Sequence, residues 1–177
     1  VYCVPKGCSA KDGAYLRFPP EDLFAIAILE AHVAGADFIG ENLGTVPPEV
    51  NALMHQRGIK GMWVLEMEFA KPPDQALAEI PASALTCLNT HDMPMLASFV
   101  DAKDLPQVCE LGILSASHLE SFTRDRLDHA RPWIEAFGAA AGGGLSRNVA
   151  ARIREAKPLY FVTNPEDFWG EERPQNI

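Results

Sequence analysis

The sequence is poor in cysteine, and the cysteines that it has lack the spacing of metal ligands. The four are Cys3, Cys8, Cys87 and Cys109, and none forms a C-x-x-C pair. This pattern argues against a zinc site or a redox dithiol. The five histidines are scattered, and no two stand at metal-ligand spacing. We therefore expect no metal and no disulfide, and we expect Cys87, which lies in an apolar run, to be a buried thiol.

Basic residues and long apolar runs are also scarce. Lysine and arginine number 15 against 24 acidic residues, which gives a net charge of -9 and argues against a nucleic-acid partner. No apolar run approaches the roughly 18 residues that a membrane span needs. The sequence shows no secretory signal and does not begin with Met, which predicts a cytoplasmic protein and a chain truncated at both ends.

Several common site motifs are absent. The sequence has no G-x-G-x-x-G, no G-x-x-x-x-G-K and no G-x-S-x-G, so neither a dinucleotide site, a Walker-type phosphate loop nor a serine-hydrolase elbow is indicated. The glycine run at 142–144 follows a predicted helix, whereas a phosphate loop follows a strand. We interpret this run as a flexible hinge.

Short apolar segments alternate with helical patterns along the chain. Strands are predicted at residues 37–40, 61–69, 84–88 and 159–162. Helices are predicted at residues 20–34, 45–57, 93 onward, 117–141 and 145–156. Such alternation implies parallel strands joined by right-handed crossovers. Two α/β architectures fit, a doubly wound sheet or part of a (β/α)8 barrel, and both gather function at the carboxyl ends of the strands.

Polar side chains stand at three of those carboxyl ends. Glu41 follows the first predicted strand, His91 and Asp92 follow the third, and Asn164 to Glu166 follow the last. Two carboxylates in one cleft suit sugar chemistry, because an oxocarbenium-like transition state needs a proton donor and nearby negative charge. The pattern alone nevertheless favours a solvated loop acid for Glu41, a helix N-cap for Asp92 and a structural role for His91.

Five segments, in this order, closely resemble the 4-alpha-glucanotransferase (amylomaltase, or disproportionating enzyme) family. The first three are VPKGCSAKDGAYLRFPPEDLF, GENLGTVPPEV and RGIKGMWVLEMEF. The last two are NTHDMPMLASF and VTNPEDFWGEERPQNI. Each is moderately specific by itself, and together they span nearly the whole chain.

The resemblance implies a partial (β/α)8 barrel, with residues 1–177 supplying about strands five to eight as a single unit without a separate second domain. It implies that Glu41 is the general acid/base and Asp92 the second catalytic carboxylate. His91 matches the substrate-binding histidine, and Asn42, beside Glu41, is taken as a further substrate contact. The implied reaction is retaining transfer of α-1,4-glucan segments between malto-oligosaccharides, with no cofactor, metal, nucleic-acid or membrane partner. The oligomeric state stays open.

The chain departs from the family pattern at several places. The family's nucleophile is an Asp in an R-x-D-H stretch, which does not occur here and which we expect upstream of Val1, so that the chain alone should be inactive. Asn42 stands where the family usually has Asp. Met95, Ser98 and Val100 replace residues that we expect near donor-side sugars. The alternatives are an α-glucan hydrolase of the same barrel clan and a non-catalytic glucan-binding derivative.

Overall fold

The computed structural model describes residues 1–173, and the chain divides into two units, Val1–Lys60 and a second that begins at Gly61. The strands in the described range are β1 (Tyr2–Cys3), β2 (Ala14–Tyr15), β3 (Met62–Val64), β4 (Leu85–Cys87) and β5 (Tyr160–Val162). The α-helices there are α1 (Pro20–Ala34), α2 (Pro48–Gln56), α3 (Pro73–Ala78), α4 (Leu96–Val100), α5 (Leu105–Glu110), α6 (Leu119–Phe137) and α7 (Gly144–Glu155).

The first unit consists of a short hairpin and two helices. Strands β1 and β2 pair antiparallel, with Tyr2 opposite Tyr15, a pairing that the sequence does not predict. Helix α1 begins at the predicted prolines and ends at Gly35, whose φ of 63° lets its N–H reach back to the last helical carbonyls. Helix α2 also begins at a proline, where the missing backbone N–H has no cost.

The second unit is built on a parallel sheet in the order β3-β4-β5. Met62 is in register with Leu85, and Leu85 with Tyr160, so the three carboxyl ends lie along one edge of the sheet. Helix α3 lies between β3 and β4 in sequence, and helices α4 to α7 lie between β4 and β5. The predicted mixed α/β class with parallel strands is confirmed.

Aromatic residues fill the core of the second unit. The Trp133 ring is fully buried and stacks on Phe69, with 4.8 Å between ring centroids. Phe99 meets Phe69 edge to face at 5.2 Å, and the guanidinium of Arg126 lies 3.9 Å above the Phe99 ring. These contacts join helices α4 and α6 to the segment after β3.

Some predicted elements differ from the observed ones. The strand predicted at 61–69 is only β3, because Leu65–Glu68 forms a 3₁₀ turn whose Glu66 N–H donates to the Leu88 carbonyl. The helix predicted from 93 begins at Leu96, so Asp92 does not cap it. Asp92 instead lies in a turn, and its N–H donates to Thr90 Oγ1 at 3.3 Å.

The glycine run is buried and closely packed at Gly143, whereas Gly142 is exposed. Gly142 and Gly143 have φ values of 63° and 72°. A Cβ at Gly143 would lie 2.2 Å from the Phe168 carbonyl oxygen, so glycine alone fits this contact. The run predicted as a flexible hinge is therefore a close contact between α7 and the 3₁₀ turn Pro165–Phe168.

Within the described residues, every helix is too short or too polar to cross a lipid bilayer.

Candidate functional site

Glu41 follows a single strand-like pairing in the first unit. Ile39 and Lys60 form an isolated parallel bridge, and the Gly40 N–H donates to the Lys60 carbonyl at 2.8 Å. The strand predicted at 37–40 is thus reduced to one bridge, with Asp37 paired to the Lys60 Nζ at 2.6 Å. Glu41 comes directly after this pairing, and its side chain is exposed.

Asn42 ties the same loop to α2. Its Nδ2 donates to Asn51 Oδ1 at 3.0 Å. Gly44, with φ of 70°, then turns the chain toward the helix. The amide therefore fixes the loop immediately after Glu41 to the body of the first unit.

His91 and Asp92 lie beyond the carboxyl end of β4 in the second unit. Their side chains are 78% and 68% exposed, and His91 Nε2 lies 3.3 Å from Asp92 Oδ2. Leu88 and Asn89, which come just before them, are buried. The structure thus presents the predicted histidine and carboxylate together, on a loop whose base is held in the core.

A cavity of about 270 Å³ runs along the parallel sheet and reaches its carboxyl edge. It is lined by residues of all three strands, including the first residues of β3 and β4, and by the loops that follow β4 and β5. The lining residues are Met62, Leu85, Cys87, Asn89, Thr90, His91, Val162, Thr163 and Asn164. A larger depression of about 640 Å³ in the first unit lies between residues 17–21 and α2 and includes neither Glu41 nor Asn42. Of the four predicted site residues, His91 lines the sheet-edge cavity, whereas Glu41, Asn42 and Asp92 do not.

Two buried acids near this edge are not predicted from the sequence. Glu66 is 7% exposed and Asp167 is fully buried. Glu66 Oε1 and Asp167 Oδ2 have no hydrogen-bond partner among the described residues. Glu66 stands in a run that reads as a buried strand, and an acid in such a run is the only sequence signal that could have marked it.

Burial raises the pKa of both carboxyl groups. For Glu66 the pKa is well above its ordinary value, first because burial penalises the charged form and then because Asp167 is nearby. For Asp167 burial is again the main cause, and its hydrogen bond from the Leu96 N–H acts in the opposite direction. Burial also raises the pKa of the Cys87 thiol to about 11, so the predicted buried cysteine is confirmed.

We expect the Glu66→Gln variant to change how stability depends on pH. Because the folded chain holds the Glu66 proton more tightly than the unfolded chain, its contribution is fully present below the unfolded pKa and is lost as pH rises through the folded pKa. Glutamine removes this dependence, so the variant should gain stability relative to wild type as pH rises above about 4.3 toward the folded pKa. The measurement is the difference in Tm between the two proteins across that range.

The exposed Glu155→Gln variant is the control, because Glu155 pairs with Arg152 at the surface. A difference in Tm between wild type and Glu66→Gln that stays constant with pH would contradict the assigned protonation of Glu66.

Three of the departures from the family pattern lie in the core. Met95, Ser98 and Val100 are all buried. They pack at the start of α4 and inside it. The last residues of the resembling segment, 174–177, lie outside the described part of the chain.

No group of three or more His, Cys, Asp or Glu side chains among residues 1–173 is arranged to hold a metal ion. The chemistry available at the described loops is that of carboxylates, an imidazole and amides. Such groups can transfer protons and bind hydroxyl groups.

A parallel sheet with polar loops and a cavity at its carboxyl edge defines an α/β protein of the type that places its functional residues at strand ends. A sequence model of the 4-alpha-glucanotransferase family matches residues 1–177. The chain belongs to the 4-alpha-glucanotransferase family.

Individual relatives agree with this assignment. The chain is 35% identical over 120 residues to a 4-alpha-glucanotransferase of Haemophilus influenzae, a match that covers 68% of this chain and 17% of the relative. It is 32% identical over 134 residues to a 4-alpha-glucanotransferase of Mycobacterium bovis, covering 71% and 18% respectively. The match thus spans about a sixth of the length of these curated relatives.

Solved structures give the same picture. The crystal structure of amylomaltase from Corynebacterium glutamicum matches 99% of this chain and 27% of its own, with a TM-score of 0.78 and 27% sequence identity. Amylomaltase from Streptococcus agalactiae, solved in complex with acarbose, matches 92% of this chain and 29% of its own, with a TM-score of 0.58 and 15% identity. The second likeness concerns the fold alone.

Proposed function

We propose that the protein containing this chain is a 4-alpha-glucanotransferase that transfers α-1,4-glucan segments from one malto-oligosaccharide to another with retention of configuration. The observation that carries the proposal is the family match over residues 1–177. It is supported by the exposed His91 and Asp92 side chains beside the sheet-edge cavity.

We further propose that the chain forms about strands five to eight of a (β/α)8 barrel, with residues 1–177 as parts of one barrel domain. The parallel order β3-β4-β5 supports this arrangement, since barrel strands follow one another in sequence order. The short Ile39–Lys60 bridge is the corresponding trace of a strand before β3.

In the proposed mechanism Glu41 donates a proton to the leaving glycosidic oxygen. A nucleophilic carboxylate from outside these 177 residues forms the glycosyl-enzyme bond as the C–O bond to the leaving chain breaks. Glu41, now ionised, then takes the proton from the acceptor hydroxyl, which attacks and releases the carboxylate. Transfer replaces hydrolysis when an acceptor sugar occupies the site instead of water.

Asp92, His91 and Asn42 are proposed to hold the substrate. The exposed Asp92 carboxylate can accept hydrogen bonds from sugar hydroxyls and place negative charge near the oxocarbenium-like transition state. His91, 3.3 Å from Asp92, can donate to a neighbouring hydroxyl. Asn42 is proposed to act beside Glu41, where its amide already orders the loop. The mechanism calls for a glucan substrate and no cofactor, and the cytoplasmic location stays a prediction.

The reaction is tested with maltotriose and the full-length protein. We expect glucose and longer malto-oligosaccharides to appear together, while the total number of reducing ends stays constant, because transfer breaks one glycosidic bond for each that it forms. Thin-layer or anion-exchange chromatography, with a reducing-end assay, measures both.

The alternatives give different products. A hydrolase would accumulate shorter sugars with a steady rise in reducing ends. A non-catalytic glucan-binding protein would leave maltotriose intact while being retarded on an amylose column. Either result would contradict the proposed transfer activity.

A further inference from the structure

The loop that carries His91 and Asp92 is tied at both ends to one later segment of the chain. This β4–α4 loop comprises residues 88–95. Near its start, Asn164 Nδ2 donates to Asn89 Oδ1 at 2.8 Å. At its end, the N–H of Leu96, the first residue of α4, donates to Asp167 Oδ1 at 2.9 Å. The two exposed functional side chains thus lie between two fixed points.

Hydrogen bonds inside the loop close it further. Asn89 Nδ2 donates to the Pro94 carbonyl at 3.1 Å, so one amide joins the loop's start both to its own end and to Asn164. The Met93 N–H donates to the Thr90 carbonyl at 3.2 Å. Loss of the Asn164 amide would therefore remove one of the hydrogen bonds that hold Asn89.

The segment that provides the two anchors is itself held firmly. It forms the 3₁₀ turn Pro165–Phe168, whose last carbonyl packs against Gly143. Arg147 Nη1 donates to that Phe168 carbonyl and to the Gly142 carbonyl. The anchors are thus built into the core of the second unit, and the loop takes its position from them.

Burial makes these hydrogen bonds costly to lose. Asn89 and Asp167 are buried, so a donor or acceptor left without a partner there carries its full desolvation cost. Asn164 is half-buried and lines the sheet-edge cavity next to His91. A small shift of this loop would move His91 and Asp92 together.

We propose that Asn164 and Asp167 are positioning residues, which hold the β4–α4 loop so that His91 and Asp92 meet the substrate in the productive geometry. The inference rests on the proposed function of His91 and Asp92. Neither positioning residue reacts with the sugar; each acts through the loop.

The first test is Asn164→Ala in the full-length protein. We expect kcat for maltotriose disproportionation to fall by up to about 10²-fold, the loss that a 1 Å misplacement can cause, while KM changes much less. The matched control is Asn148→Ala, because the Asn148 amide also donates to a carbonyl, that of Phe137, at 2.7 Å, and neither residue belongs to this loop. The control should keep wild-type kcat.

Amide hydrogen exchange measures how firmly the loop is held. In Asn164→Ala, exchange should quicken in peptides covering residues 89–96 and stay as in wild type in peptides from β3 and α6. The control variant should leave the 89–96 peptides unchanged.

Asp167 is tested by a pair of variants. Asp167→Asn keeps an Oδ1 acceptor for the Leu96 N–H, so it should retain most of kcat and the wild-type exchange of residues 89–96. Asp167→Ala removes the acceptor and should lower kcat and quicken that exchange.

The outcomes separate the two proposals. Unchanged exchange at residues 89–96 in Asn164→Ala, an unchanged kcat, or exchange that rises throughout the second unit would overturn the positioning role. Equal losses in Asp167→Asn and Asp167→Ala would overturn the role of the Asp167 acceptor. A wild-type protein that transfers no glucan would instead contradict the proposed function, whatever the exchange shows.

Discussion

Glu41→Gln in the full-length protein is expected to lower turnover by about 10²- to 10⁴-fold, the usual contribution of a general acid/base. Glutamine keeps the size of the side chain but can neither donate the proton to the leaving oxygen nor accept one from the acceptor hydroxyl. The measurement is the initial rate of glucose release from maltotriose under saturating substrate. The exposed position of Glu41 after the Ile39–Lys60 bridge means that the change should leave the fold intact.

A second substrate separates acid catalysis from binding. A maltoside with an acidic phenol as leaving group needs little protonation, so Glu41→Gln should form the glycosyl-enzyme from it at close to the wild-type rate. The control variant is Glu49→Gln, which changes an exposed acid in the first turn of α2 in the same unit. A wild-type kcat for maltotriose in Glu41→Gln would remove Glu41 from the mechanism.

Trp133→Ala is expected to cost about 3–5 kcal/mol of stability, the range for truncating a large buried aromatic residue. The Trp133 ring is fully buried, stacks on Phe69 and lies 6.0 Å from Phe137. Its Nε1 donates to the Lys71 carbonyl at 3.2 Å, so the substitution also leaves that carbonyl without its partner. Thermal melting and pulse proteolysis of the full-length protein measure the loss.

The matched control is Trp169→Ala, the same change at a ring that is 59% exposed. We expect it to cost no more than about 1 kcal/mol, because little apolar surface returns to water. Equal losses at the two positions would contradict the core assigned to the second unit.

Local signals predict much of the helical structure. The prolines before Glu21 and Glu49, and Gly35 after Ala34, mark the helix limits that α1 and α2 have. These signals work because proline at a first turn and glycine after a last turn act within a few residues. The same local chemistry at Pro73 and Asp74 opens α3, which lies between the strands predicted at 61–69 and 84–88, where no helix is predicted.

Strand length is less well predicted. An apolar run such as 61–69 does not distinguish a strand from a buried 3₁₀ turn, because both bury consecutive apolar residues. Strand β3 ends just before Glu66, whose N–H donates to the Leu88 carbonyl. This hydrogen bond depends on the neighbouring strand β4. Only tertiary structure decides such a boundary.

Sequence patterns likewise predict only part of the candidate site. The placement of His91 and Asp92 after β4 is predicted, because a parallel strand must end before its crossover begins. The position of Asn164 after the last strand is predicted as well, but its hydrogen bond to Asn89 is not. The buried Glu66 and the anchor Asp167 are not predicted, because each acts on a residue far away in sequence. A sequence pattern within a short window does not reveal contacts between residues that lie far apart in sequence.

The β4–α4 loop is synthesised before the residues that anchor it. Its two anchoring hydrogen bonds join residues 75 and 71 positions apart in sequence. At a translation rate of roughly 5–20 residues per second, Asn89 and Leu96 are made about 4 to 15 seconds before Asn164 and Asp167. During that interval the nascent chain contains His91 and Asp92 but not the residues that fix them. The two anchoring hydrogen bonds can form only after Asn164 and Asp167 have left the ribosome.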